Sequence, residues 1–106
     1  MQLLTEKIKK QLIDNFNNQD SEGTKEFKVV CKLFNPIGDG TWYLTELDPK
    51  TNIAFGLCVI FDAELGNVCM TELTEYVSDI GIGIERDILF KTNHYTLEEC
   101  KKLFCN

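Results

Sequence analysis

The chain has 106 residues, of which 43% are apolar, so it can form one hydrophobic core of ordinary domain size. Seventeen acidic residues against eleven basic ones give a formal charge of −6, which argues against a nucleic-acid backbone binder and suits a basic partner. No apolar run approaches the roughly 20 residues of a membrane span, and no signal-peptide pattern opens the chain, so we expect a cytoplasmic protein without a membrane segment.

The first predicted element is a helix over residues 5–16, followed by a polar segment over residues 17–26. Thr5 suits the N-cap position and Glu6 the first helical turn. An apolar stripe that recurs every four residues should pack on the core, and it consists of Leu4, Ile8, Leu12 and Phe16. The segment NNQDSEGTKE is predicted to be a mobile loop because it is polar throughout and contains Gly23.

The middle of the chain is predicted to form an antiparallel sheet of about four to five strands. Runs rich in β-branched and aromatic residues indicate strands over 27–34, 41–47, 53–61 and 84–91. Glycine, proline, asparagine and aspartate cluster after each of the first three runs. These clusters predict turns over 35–40, 48–52 and 62–67. The run 53–61 is apolar on both faces and is expected to be a central, covered strand.

Two further helices are predicted after the sheet begins. A short helix over 71–77 precedes the last strand, and a C-terminal helix follows a capping box formed by Thr96 and Glu99. The fold class is therefore α+β, and the whole chain, residues 1–106, is expected to be one domain.

A charged triplet, Glu85–Arg86–Asp87, interrupts the last predicted strand. Alternation puts Arg86 on the apolar face, where an unpaired guanidinium would be costly, so a carboxylate should meet it. Glu46 is the leading candidate because strict alternation places it beside Trp42, with Glu72 and Asp48 as alternatives. We predict an Arg86–Glu46 contact within about 6 Å. Such a pair could fix the strand register, or it could line a cleft.

The five cysteines predict neither disulfides nor a metal centre. Their number is odd and no CxxC pair occurs, so reduced thiols in a reducing compartment are expected. A zinc site at His94, Cys100 and Cys105 is conceivable, but its spacing matches no common zinc pattern. We therefore expect no metal and no cofactor.

An ordered set of segments resembles a bacterial family known as domain of unknown function 2958. The segments are MQLLTEKIKKQL, TWYLTELDP, FGLCVIFDAELG, TEL at 71–73 and IERDILFK, and they cover nearly all of residues 1–91. The resemblance implies bacterial origin and frequent carriage on plasmids, conjugative elements or phages, with no established activity. The recurring positions of the family correspond here to Trp42, Tyr43, Glu46, Phe55, Gly56, Glu64, Gly66, Glu85, Arg86 and Asp87.

Two functional hypotheses follow. The first is a non-enzymatic accessory protein of a mobile genetic element that binds another protein; its candidate binding residues are Trp42, Tyr43, Glu46, Glu85, Arg86 and Asp87. The exposed side of the Trp42–Tyr43 pair, with nearby acids, would form the contact patch. The alternative is a small hydrolase or nuclease that holds Mg²⁺ with Glu46, Asp48, Glu85 and Asp87. Oligomeric state is left open, although an exposed edge strand could pair two copies.

Overall fold

The computed structural model describes residues 2–105, and within that range it forms one antiparallel sheet of five strands with three helices. The elements are α1 (Glu6–Asn17), β1 (Cys31–Phe34), β2 (Thr41–Asp48), β3 (Ile53–Val59), β4 (Ala63–Cys69), α2 (Met70–Glu75), β5 (Glu85–Arg86) and α3 (Leu97–Phe104). The strand order is β4-β3-β2-β1-β5. The α+β prediction, with a helix at each end and a short helix before the last strand, is confirmed. The single-domain prediction also included Met1 and Asn106, which lie outside the described residues.

Both faces of the sheet are covered, and the middle strand is β2. The face under α1 and α2, called the α1 face below, holds a core that includes Leu12, Leu44 and Met70. The face under α3, called the α3 face, holds a smaller core around Tyr43 and Cys100. Six consecutive residues of β2 are buried. The run 53–61, expected to be a central strand, is the interior strand β3 between β2 and β4, although it ends at Val59.

A β-bulge at Thr45 divides β2 into two halves. Leu44 lies opposite Gly56, and Glu46 lies opposite the adjacent residue, Phe55. Thr45 is therefore an extra residue without a partner in β3. The side-chain amide of Asn15 in α1 donates to the Thr45 carbonyl at 2.9 Å and satisfies it. Leu47 therefore returns to the α1 face with Leu44, while Glu46 turns to the α3 face.

The predicted turn over 62–67 is wrong, because most of that range belongs to β4. All seven residues of β4 pair with β3 in unbroken register, and Gly66 lies opposite Gly56. Glycine usually weakens a strand, but a continuous ladder with β3 compensates here. The strand forms one edge of the sheet, where its polar residues remain in contact with water.

The first and last strands predicted along the chain are shorter than expected. The run 84–91 contributes only β5, because the chain turns at Asp87, whose carboxylate accepts from the Leu89 amide at 3.0 Å. The run 27–34 becomes a strand only at Cys31. Before it, the Val29 amide donates to the Tyr95 carbonyl at 2.6 Å instead of to a neighbouring strand.

The segment 17–26 has no helix or strand, but side chains tie it together. The Gln19 amide donates to the Lys25 carbonyl at 2.8 Å, and the Asp20 carboxylate accepts from the Thr24 hydroxyl at 2.6 Å. Hydrogen bonds from Thr24 are the main cause that lowers the pKa of Asp20. The mobility of this segment stays a prediction.

The capping box of α3 supplies a first testable prediction. The Thr96 hydroxyl accepts from the Glu99 amide at 3.1 Å, and the Glu99 carboxylate accepts from the Thr96 amide at 3.0 Å. Thr96→Ala should lower the free energy of unfolding by about 1 kcal/mol, because one amide of the first turn loses its partner. Urea unfolding measures this, with the exposed Thr74→Ala as control. Equal stability of the two variants would contradict the prediction.

Candidate functional site

The Arg86 side chain lies on the α1 face, as does Leu33 opposite it, and its partners are main-chain carbonyls rather than a carboxylate. Its Nη1 donates to the carbonyl oxygens of Gln2 at 2.8 Å and Leu3 at 2.7 Å. Arg86 thereby ties the segment before α1 to the short strand β5. None of the ion pairs formed within residues 2–105 includes Arg86, so neither Glu46 nor the alternatives Glu72 and Asp48 meets it.

The predicted Arg86–Glu46 pair is therefore wrong, and the bulge explains why. Strict alternation along β2 would have kept Glu46 on the face of Trp42 and Leu44. The extra residue at Thr45 sends it to the opposite face, where its Oε2 accepts from the Gln19 amide at 3.1 Å. The two charged side chains are on opposite sides of the sheet.

Trp42 and Tyr43 are core residues on opposite faces of β2. Trp42 is 7% exposed and packs in the core beneath α1, while Tyr43 is 2% exposed. The Tyr43 ring stacks on Phe104 with centroids 6.1 Å apart, and burial raises the pKa of its hydroxyl. The expectation of an exposed Trp42–Tyr43 patch is wrong, because a middle strand covered on both faces presents neither ring to solvent.

The charged triplet instead borders an open groove of about 760 Å³ on the α3 face, called the turn-end groove below. Its walls are the turn after β1, the end of β3 and the segment 85–89. Asp87 lies 3.6 Å from the Lys32 ammonium, which also sits 5.7 Å from the centre of the Tyr43 ring. Glu85 is exposed and forms no ion pair within the described range.

Large apolar side chains stand exposed around this groove. Phe61 is 91% exposed and Leu89 86%, and the full set, called the apolar rim below, is Ile60, Phe61, Leu65, Ile88 and Leu89. Ile60 lines both the turn-end groove and a neighbouring depression of about 410 Å³ that contains Phe61 and Leu65, so the rim is continuous. Sequence reasoning missed it because four of these residues fell inside predicted strands and Leu65 fell inside a predicted turn.

The comparison with protein families gives one match, which spans most of the chain. The sequence model of the family described as "Protein of unknown function (DUF2958)" matches residues 3–99. The chain belongs to the DUF2958 family. The matched range contains all five strands and the walls of both depressions just described. Searches of curated proteins and of solved structures found no match.

The carboxylates proposed for a metal site are not gathered in this DUF2958 chain. Glu85 and Asp87 line the turn-end groove, whereas Glu46 and Asp48 line a separate groove of about 420 Å³. Across residues 2–105, no three side chains of His, Cys, Asp or Glu approach one another closely enough to hold an ion. The hydrolase or nuclease hypothesis gains no support from this arrangement.

Buried thiols do not offer the DUF2958 chain a nucleophile either. All five cysteines are free. Burial raises the pKa of Cys31 to about 12 and that of Cys100 to about 11, so both remain protonated at neutral pH. Both act as small hydrophobic residues in the two cores.

Proposed function

We propose that this DUF2958 chain is a protein-binding module whose contact surface is the apolar rim together with the turn-end groove. The single observation that supports it most is the exposure of five large apolar side chains along the turn-end groove and the depression beside it. Folded monomers rarely leave such side chains contiguous in water, and surfaces that do are typical of binding sites. Polar and charged residues surround the rim, as at the edge of a protein interface.

The charges around the rim indicate the chemistry of the partner. Five carboxylates border the surface against two cations. Lys32 already faces Asp87, and the Arg86 guanidinium is occupied by main-chain carbonyls. The remaining acids form no ion pair within residues 2–105, and they are Asp39, Asp62, Glu64 and Glu85. A partner segment with apolar side chains flanked by lysine or arginine would complement this surface.

The setting of this binding is part of the same proposal. The resemblance noted from the sequence implies bacterial chains that are often carried on mobile genetic elements. We therefore place the partner among proteins of the host cytoplasm and the role as that of an accessory protein without catalysis. The acidic net charge supports a basic protein surface as the target rather than nucleic acid.

The decisive experiment replaces the two most exposed residues of the rim. The variant Phe61→Ser with Leu89→Ser should fold normally, because neither side chain is buried. A matched control, Val77→Ser with Ile80→Ser, removes two exposed apolar side chains that lie outside the rim. Host proteins that bind the immobilised wild type and the control but not the rim variant would support the proposal.

The same experiment can contradict the proposal. Identical retained proteins for all three chains would mean that the rim does not bind them. The complex should also weaken as salt rises toward 1 M, where charges are screened beyond about 3 Å. If the retained species is a second copy of the chain, size-exclusion chromatography will show a dimer and the heterologous partner is wrong.

A further inference from the structure

A second groove on the α3 face contains a buried carboxylate that no cation among residues 2–105 neutralises. This groove, called the Glu46 groove below, has a volume of about 420 Å³ and is lined by the end of α1, the segment after it and the outer halves of β2 and β3. Glu46 is only 8% exposed. The volume of the groove falls within the range of small-ligand sites in proteins.

The partners of Glu46 account for only part of its hydrogen-bonding capacity. Its Oε2 accepts one hydrogen bond, from the Gln19 amide at 3.1 Å. Oε1 accepts no hydrogen bond from the described residues. Every fully buried side-chain oxygen in that range has a hydrogen-bond partner, so Oε1 is not fully buried and faces the open groove. No lysine, arginine or histidine nitrogen within residues 2–105 forms an ion pair with Glu46.

If Glu46 served only to hold the segment 17–26 in place, its Oε2 would be explained but its Oε1 would not. Gln19 already donates to the Lys25 carbonyl and accepts from the Lys25 amide, so the loop is held without Glu46. A neutral glutamine at position 46 would satisfy Gln19 without placing a charge in a buried position. Burial raises the pKa of Glu46, which shows that the surroundings oppose its charged form.

The walls of the groove suit an organic cation. Phe16 and Phe55 supply aromatic rings, and Asp48 supplies a second carboxylate on the same side of β2. Aromatic faces and carboxylates together bind guanidinium and ammonium groups. The bulge at Thr45 is what directs Glu46 into this groove, and bulges often re-aim a side chain beside a binding site.

We propose that the Glu46 groove binds the guanidinium or ammonium head of an organic cation, with Glu46 Oε1 as its main acceptor. This site is separate from the apolar rim and does not depend on the proposed protein-binding function. A hard divalent cation fits less well, since it requires about six oxygen ligands and the groove offers two carboxylates.

Methylguanidinium chloride is the first ligand to test, with sodium chloride at matched ionic strength as the reference. In ¹H–¹⁵N NMR spectra of the full chain, the amides of Gln19, Glu46 and Phe55 should shift and saturate at low millimolar concentration. Glu46→Gln should weaken binding at least about tenfold, because one charge-assisted hydrogen bond is lost. Neutral N-methylurea, which has nearly the same shape, should produce no saturable shift.

Two further variants separate binding from folding. Glu75→Gln removes an exposed carboxylate at the end of α2 and should leave the affinity unchanged. Phe55→Leu should weaken binding severalfold through loss of the ring while keeping an apolar side chain in β3. Each variant is used only if its circular dichroism and urea midpoint show a folded chain.

The result can overturn the proposal in three ways. These are no saturable shift in the millimolar range, equal affinity of wild type and Glu46→Gln, or tighter binding of Mg²⁺ or Ca²⁺ that depends on Glu46. If methylguanidinium binds, the peptide acetyl-Gly-Arg-Gly-amide tests whether the natural ligand is a protein side chain or a free small molecule. Binding about tenfold tighter than methylguanidinium indicates a protein side chain, and equal binding indicates a free small molecule.

Discussion

Gly56→Ala is expected to destabilise the fold strongly. A Cβ atom at Gly56 would overlap the carbonyl oxygen of Tyr43 and lie 2.8 Å from its carbonyl carbon and 2.9 Å from the Leu44 Cα. All three atoms belong to the main chain of β2, so no side-chain rotation can relieve the contact. We expect the free energy of unfolding to fall by at least about 3 kcal/mol, which is at the upper end of the cost of overpacking a core.

The neighbouring strand offers a matched control for that substitution. Gly66 lies directly opposite Gly56 in β4, and the nearest atom to its added Cβ is the Cys58 Sγ at 4.0 Å. Gly66→Ala should therefore be neutral or more stable by up to about 1 kcal/mol, because alanine restricts the unfolded chain. Urea unfolding followed by circular dichroism compares the two. A Gly56→Ala midpoint close to wild type would show that β2 and β3 can separate more easily than the contact at the bulge suggests.

Arg86→Met is expected to destabilise the fold by about 2–3 kcal/mol. The substitution removes two charge-assisted hydrogen bonds to the carbonyls of Gln2 and Leu3 while keeping an apolar stem of similar length. The segment before α1 would then lose its tie to β5, and Leu3 and Leu4 would pack less well on the core. Urea unfolding gives the loss, and hydrogen exchange of the first turn of α1 should become faster. Lys9→Met, which removes an exposed cation from α1, is the control.

A double-mutant cycle tests whether Arg86 and Glu46 act together. Because they lie on opposite faces of the sheet, the effects of Arg86→Met and Glu46→Gln should add within about 0.5 kcal/mol. A coupling energy above about 1 kcal/mol would mean that the two charges interact in solution, and the placement of Glu46 by the bulge would be wrong.

Local patterns were sufficient for the helices. The N-caps at Thr5 and Thr96 were predictable because capping depends on residues three positions apart in the chain. The short helix α2 was also predicted, but over 71–77; it lies at Met70–Glu75, so Tyr76 and Val77, whose spacing suggested it, fall beyond its end. The core position Leu12 lay on the apolar stripe of a predicted helix, Leu33 and Leu44 lay in predicted strands, and all three are buried.

The candidate site was less predictable because it depends on pairing between strands. Alternation along β2 looked regular, and nothing near Thr45 marked an extra residue. Beside the bulge, Gly56 in another strand lets the main chain of Tyr43 and Leu44 approach closely. That one inserted residue moved Glu46 from an expected ion pair to a groove on the other face.

Sequence alone determined the fold class, the family, the helix caps and the need of Arg86 for a partner, although the partner predicted was a carboxylate. Each of these depends on short-range spacing or on the cost of burying a charge, and both can be seen in a single chain. Only the tertiary structure decided which acceptors Arg86 finds, which face Glu46 occupies and which apolar side chains stay in water. Those outcomes depend on contacts between segments far apart in the chain, and a one-residue shift in strand pairing is enough to reverse them.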